Sequence, residues 1–240
     1  MKTAVIIGVG PLRGVGAMLC RAAAGEGLHV VVAGRSPDKL AEVVGAIEAD
    51  GGVATAVPCD TTEESQVAAL LDAAEAIGPV DLAIYNAGNN MPGNFLEMST
   101  EHFEKCYRVG LLGGFLFSRE ALRRMAPRGE GCLLFTGASA SMRGKPGFAA
   151  FTAAKGGLRN LAQSVAREFQ PQGIHVGHVV IDGGIYGEKI ETRFPEFYEH
   201  AGATGLIGLE GIVEAFMYLY RQPRNAWTHE LDLRTHVENF

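Results

Sequence analysis

The stretch Ala4–Gly16, A-V-I-I-G-V-G-P-L-R-G-V-G, constrains the fold of this chain more than any other. Its apolar block, Ala4 to Ile7, runs into closely spaced glycines, after which Val15-Gly16-Ala17-Met18-Leu19 resumes at helical spacing. The pattern is strand, tight turn, helix. Gly10, Gly14 and Gly16 let the backbone turn sharply, bring main-chain N–H groups close to a pyrophosphate and pack the helix on the strand. The helix N-terminus then offers unpaired donors and partial positive charge to the same phosphate. Glycine also serves turns for steric reasons alone, so the nucleotide reading depends on the pattern of the rest of the chain.

Beyond the loop, strands and helices alternate. Strand-length apolar blocks fall at Leu28–Ala33, Val53–Pro58, Val80–Tyr85, Cys132–Thr136, Ile174–Ile181 and Glu230–Leu233. Between them Pro37–Ala49, Glu63–Ile77, Thr100–Met125, Phe151–Phe169 and Glu210–Tyr220 carry helical periodicity. This predicts a parallel sheet with right-handed crossovers and helices on both faces, the doubly wound α/β class. No Pro/Ser-rich linker or internal repeat interrupts the pattern, so residues 1–240 are expected to form a single domain. The least regular segment is Gly183–Gly208. It leaves the carboxyl end of a strand, where open α/β sheets bind ligands, and reads equally as a substrate lid or a plain surface connection.

A net charge of −6 supplies no basic footprint for nucleic acid. Cys20, Cys59, Cys106 and Cys132 are scattered, with no C-x-x-C pair and no histidine spacing that points to zinc, so they read as reduced, buried thiols and no metal is expected. The N-terminal apolar run is too short for a signal peptide or a membrane span. The expected location is the cytoplasm, away from membranes.

These residues resemble the short-chain dehydrogenase/reductase family over nearly the whole chain. Val9-Gly10-Pro11-Leu12-Arg13-Gly14-Val15-Gly16 matches the family's T-G-x-x-x-G-x-G, with Val9 in place of threonine. Asp60 ends the third strand, where the family has an aspartate that holds the adenine. Asn86-Ala87-Gly88 matches its N-A-G motif, and Lys155 stands at the place of its active-site lysine. The resemblance implies a Rossmann-like sheet of about seven strands in the order 3-2-1-4-5-6-7. It also implies a nicotinamide dinucleotide, a small carbonyl or alcohol substrate, and self-association to a dimer or tetramer through the long fourth and fifth helices.

The residues after the second strand bear on which dinucleotide binds. Val30-Val31-Val32-Ala33 runs into Gly34-Arg35-Ser36, with no acid before Asp38 to receive a ribose 2′-hydroxyl. Arg35 has a planar fork suited to a 2′-phosphate, and Ser36 can add a hydroxyl donor. Arg13 occupies a loop position where NADP-preferring members of the family resemble one another in carrying a basic residue. The expectation is NADP(H) in preference to NAD(H).

At the reacting centre the family uses a tyrosine as proton donor, a serine, an asparagine and the lysine, because hydride attack builds charge on oxygen that an acid must neutralise. This chain has Phe151, Ala138 and Gly110 at the first three places and keeps only Lys155. After the sixth strand the family's P-G-x-[IV]-x-T reads Asp182-Gly183-Gly184-Ile185-Tyr186-Gly187, keeping Gly183 and Ile185, which back the nicotinamide in the family. A relocated proton donor is expected, with Tyr186 and Ser139 as first candidates and Ser141, Asp182 and His178 as lesser ones. The alternatives are an NADP(H)-binding sensor or regulatory partner without useful turnover, and an oligomer scaffold with an unused pocket. The tail Thr235–Phe240 reads either as an arm reaching a neighbouring subunit or as a frayed terminus.

Overall fold

The structure, a computed structural model, describes residues 1–88 and 90–238. Its main sheet is built from β1 (Thr3–Ile7), β2 (His29–Gly34), β3 (Val53–Pro58), β4 (Val80–Tyr85), β5 (Gly131–Thr136), β6 (Ile174–Ile181) and β9 (Glu230–Leu233). The order is β3-β2-β1-β4-β5-β6-β9, and every pairing is parallel. This is the seven-stranded doubly wound architecture expected from the alternation. Strands covered on both faces are apolar along their length rather than at alternate positions. All five residues of β1 and all eight of β6 are accordingly buried.

Because side chains alternate across a strand, β1 feeds two cores. Val5 and Ile7 join Val67, Phe117 and Leu158 on one face, under α3 (Glu64–Ile77), α5 (Gly113–Met125) and α7 (Ala149–Phe169). Ala4 and Ile6 join Leu19, Val43 and Phe216 on the other, under α1 (Val15–Gly25), α2 (Pro37–Ala49) and α10 (Leu209–Tyr220). Among the described residues no helix is long and apolar enough to cross a membrane.

Two segments differ from expectation. The helix foreseen over Thr100–Met125 is divided into α4 (Thr100–Tyr107), a π-turn at Arg108–Leu112, and α5. Glycines weaken helical preference there, and β4 supplies the competing contact. The Tyr85 hydroxyl donates to the Val109 carbonyl at 2.5 Å, and a Cβ at Gly113 would stand 2.5 Å from that same hydroxyl oxygen. The segment foreseen as irregular, Gly183–Gly208, instead contains β7 (Ile185–Tyr186), α8 (Glu188–Arg193), α9 (Pro195–Gly205) and β8 (Ile207–Gly208), with β7 and β8 pairing in a separate small sheet. A further short helix, α6 (Ser139–Met142), comes after β5.

Candidate functional site

The glycine loop leaves the carboxyl end of β1, and its glycines meet different demands. Gly8 takes φ +91°, and a Cβ there would lie 2.4 Å from the Ala87 nitrogen, so the segments leaving the parallel strands β1 and β4 lie in backbone contact. A Cβ at Gly16 would stand 2.9 Å from the Val9 Cα, and one at Gly14 3.0 Å from the Pro11 carbonyl. A Cβ at Gly10 would meet nothing within 4 Å. The fold therefore requires Gly8 and Gly16, whereas packing within the protein places no such demand on Gly10. Leu12 is exposed beside it, and Val15 begins α1.

Around this loop the other expected cofactor residues fall at the carboxyl edge of the sheet, in different states. Arg35 and Ser36 are exposed just after β2, and Ser36 is the N-cap of α2 without a side-chain capping bond. Asp60 accepts from both the nitrogen and the hydroxyl of Thr62, each at 2.9 Å. The side-chain amide of Asn86 is engaged at both ends, donating to the Gly8 carbonyl at 3.1 Å and accepting from the Thr136 hydroxyl at 3.0 Å. Asn86 thus ties β1, β4 and β5 together at the edge of the site. Arg13 is exposed and already has partners. Its guanidinium pairs with Glu191 at 2.9 Å and donates to the Tyr198 hydroxyl at 3.1 Å.

Lys155 lies one turn beyond Phe151 on α7 and is buried. Its ammonium donates to the Thr136 carbonyl at 2.6 Å, and a Cβ at Gly88 would come within 3.4 Å of its Nζ. Burial, with a smaller contribution from the charge of Lys189, lowers its pKa to about 8. Gly110, in the π-turn, faces the same helix so closely that a Cβ would stand 2.7 Å from that of Ala154. An asparagine side chain has no room there, so the π-turn keeps its shape without that polar group.

The candidate proton donors sit in three settings. Ser139 opens α6 beside Asp182, whose side chain is buried and held bidentately by Arg143 at 2.8 Å on each arm. Arg143 foremost, with hydrogen bonding from Ser139 and the charge of Arg234, holds the Asp182 carboxyl below the usual range despite its burial. Tyr186 lies on β7 and stacks on Tyr198 with ring centres 4.8 Å apart. Ile185 packs against the α1/α10 core, and a Cβ at Gly183 would meet Ile207 at 3.2 Å, so both anchor the start of the Gly183–Gly208 segment. Ser141 is buried and accepts from the Ala138 nitrogen. His178 is buried in β6 with Nδ1 on Glu230, and its Nε2 has no partner among the described residues.

A short-chain dehydrogenase family model matches residues 2–188. The chain belongs to the short-chain dehydrogenase/reductase family. It is 33% identical over 198 residues to the ketoacyl reductase HetN of Nostoc sp., covering 80% of this chain and 67% of that protein. A solved short-chain dehydrogenase from Rhodopseudomonas palustris is 37% identical, covers 98% of this chain and 99% of its own, and superposes with a TM-score of 0.84. The alcohol dehydrogenase of Thermococcus sibiricus, solved with 5-hydroxy-NADP, shares the fold at 24% identity and a TM-score of 0.85, over 100% of this chain and 98% of its own.

This member of the family has Phe151, Ala138, Gly110 and Lys155 at the positions named from its sequence. Its sequence did not single out Gly8, Arg143, Lys189 or Glu191. Gly8 had a signal, a glycine directly after an apolar strand. Arg143 and Glu191 had none, because their partners lie far along the chain at Asp182 and Arg13. Among the described residues no group of three or more His, Cys, Asp or Glu side chains is arranged to hold a metal. The tail lies partly outside the described residues, which end before Asn239 and Phe240.

Proposed function

We propose that this protein is an NADP(H)-dependent oxidoreductase interconverting a small carbonyl compound and its alcohol, with the proton handled by a group other than a tyrosine at position 151. The observation that carries the reading is Lys155. It is a buried ammonium bordered by Gly88 and Thr136, with no carboxylate paired to it among the described residues. A buried, uncompensated charge is costly, and a ligand with hydroxyl groups at that place offsets the cost. The open space over Gly10 fits the same ligand.

The cofactor, when bound, supplies or accepts the hydride. Gly10, Gly14, Gly16 and the start of α1 would hold its diphosphate, Asp60 its adenine, and Asn86-Ala87-Gly88 the floor of the site, while Gly183 and Ile185 would back the nicotinamide. Arg35, exposed and without an ion-pair partner among the described residues, supports preference for the 2′-phosphate form with help from Ser36 and Arg13. Solved proteins of the same fold hold NADP or an NADP derivative. Lys155 would hold the nicotinamide ribose and keep positive charge near the developing alkoxide. Ser139, next to Ala138, and Tyr186 on the lid are the hydroxyls that would exchange the substrate proton.

Exposed Phe103, Tyr107 and Phe115 on α4 and α5 support self-association through those helices, and four buried, unbridged cysteines suit a reducing cytoplasm.

Steady-state assays with NADPH across a panel of aldehydes, ketones and alcohols test the activity. The expected result is turnover that changes less than about tenfold in Phe151→Tyr, since general-acid assistance of roughly 10²–10⁴ is already supplied elsewhere. No turnover at any pH despite tight NADPH binding overturns the enzyme reading, and activity created only by Phe151→Tyr overturns the relocated donor. Binding of both cofactors to wild type and Arg35→Asp tests selectivity, and equal affinity of wild type for NADPH and NADH defeats that assignment.

A further inference from the structure

We propose that Glu191 and Tyr198 are specificity determinants for the cofactor: they hold Arg13, so that a nucleotide recruits this arginine only if it brings a phosphate able to displace them, and the exchange loosens the lid. The inference rests on the NADP(H) reading.

Two kinds of contact join the lid to the glycine loop. The first is backbone. The Glu188 N–H donates to the Arg13 carbonyl at 3.0 Å, and a Cβ at Gly187 would stand 2.8 Å from that carbonyl oxygen. This tie seats the start of α8 on the loop and does not involve the arginine side chain. The second is made by the guanidinium, whose Nη1 meets Glu191 at 2.9 Å and whose Nη2 donates to Tyr198 at 3.1 Å. One residue of the glycine loop thereby pins both α8 and α9. Tyr198 in turn stacks on Tyr186 at 4.8 Å with the rings 10° from parallel.

These side-chain contacts are solvent-accessible, with the Arg13 and Glu191 side chains 55% and 41% exposed. Exposed ion pairs are weak and exchange readily. A phosphate dianion offers the planar guanidinium two parallel charge-assisted bonds and more charge than a single carboxylate. A 2′-phosphate therefore competes effectively for Arg13, whereas a 2′-hydroxyl does not. Loss of Arg13 leaves Glu191 in solvent and removes the donor from Tyr198, so α8 and α9 keep the backbone tie at Glu188 but lose the side-chain pin. The same exchange frees the Tyr186–Tyr198 stack, which contains one of the two hydroxyls placed to serve as proton donor. Cofactor choice and lid mobility are thus linked through one arginine.

The test uses the whole protein with two nucleotides that lack nicotinamide and differ only in the 2′-phosphate, 2′,5′-ADP and 5′-AMP. Hydrogen exchange is followed across residues 186–200 in wild type and Glu191→Gln, with affinities measured in parallel. In wild type, 2′,5′-ADP is expected to bind more tightly than 5′-AMP and to speed exchange in this segment, while 5′-AMP leaves it unchanged. Glu191→Gln is expected to exchange faster before any nucleotide is added, and to bind 2′,5′-ADP roughly two- to five-fold more tightly with 5′-AMP unaffected. Preferred binding of 2′,5′-ADP with unchanged or slower exchange overturns the latch and leaves the NADP(H) reading standing. Equal affinity of wild type for the two nucleotides overturns both.

Discussion

Nδ1 of His178 on β6 lies 2.9 Å from a carboxylate oxygen of Glu230 on β9, and the same carboxylate takes two bonds of 2.7 Å from Arg159 on α7. Three elements are thereby joined through one carboxylate, by an ion pair to Arg159 and a hydrogen bond from His178, one helical turn beyond Lys155. Burial pushes the His178 pKa down to about 4 even though Glu230 draws it upward. Arg159 foremost, with His178, holds Glu230 down at about 2.

Both shifts make the unfolded chain the stronger proton binder in acid, so stability should fall with pH in two stages. His178 contributes first, between its unperturbed 6.5 and about 4, and Glu230 next, between 4.5 and about 2. Urea midpoints measured from pH 7 to pH 3 should decline throughout this range. In His178→Asn the decline above pH 4.5 should be shallower, and an unchanged slope there would remove His178 from the account.

Lys155 has the opposite relation to alkali. With its pKa lowered to about 8 from 10.5, its buried charge opposes folding at neutral pH, and stability contributed by its neutral form appears as pH rises from 8 to 10.5. Lys155→Met should therefore raise stability at pH 7 by about 1–2 kcal/mol, or roughly 2–8 °C in Tm for a chain of this size. Cofactor-dependent turnover should be lost in the same variant. Calorimetry and assay together check the pairing of these effects.

Restoring the family asparagine should fail for steric reasons. A Cβ at Gly110 would stand 2.7 Å from that of Ala154, so Gly110→Asn should cost about 1–3 kcal/mol by overpacking. The double variant Gly110→Asn/Ala154→Gly should recover part of this loss. Denaturant midpoints of the two proteins give the comparison, and no difference between them would show that Ala154 is not the obstacle.

Gly10 separates binding from folding. Since a Cβ there meets no protein atom within 4 Å, Gly10→Ala should change stability by no more than about 0.5 kcal/mol. Dinucleotide binding should weaken by about 1–3 kcal/mol as the methyl group enters space the ligand needs. Gly16→Ala, with a Cβ 2.9 Å from the Val9 Cα, should instead destabilise the protein itself. Titration calorimetry and thermal melts distinguish the two.

The sheet was legible because its information is local. Unbroken apolar runs such as Val30-Val31-Val32 belong to strands covered on both faces, and Pro37–Ala49 was readable to the residue because its apolar positions recur on one face. The break at Arg108–Leu112 was hidden because it is imposed by Tyr85 from another element. Arg13 was legible as a basic residue in a phosphate loop, but its partners Glu191 and Tyr198 are supplied by a segment with no strong period of its own. The apolar side chains or glycine at Phe151, Ala138 and Gly110 were legible directly. The pairing of Asp182 with Arg143 was not, since the two meet only in the folded chain.

The small sheet formed by β7 and β8 joins the two ends of the segment between them. Ile185 pairs with Ile207 and Tyr186 with Gly208, so the chain enters and leaves this segment through a hydrogen-bonded neck. Because those ends are already joined, extra residues near the tip of the segment add little closure entropy. The same segment reaches back to the glycine loop through Glu188, Glu191 and Tyr198. Any exchange of the residues between Tyr186 and Ile207 must therefore carry two seams, the neck and the contacts with Arg13, for the seven-stranded sheet to remain unchanged.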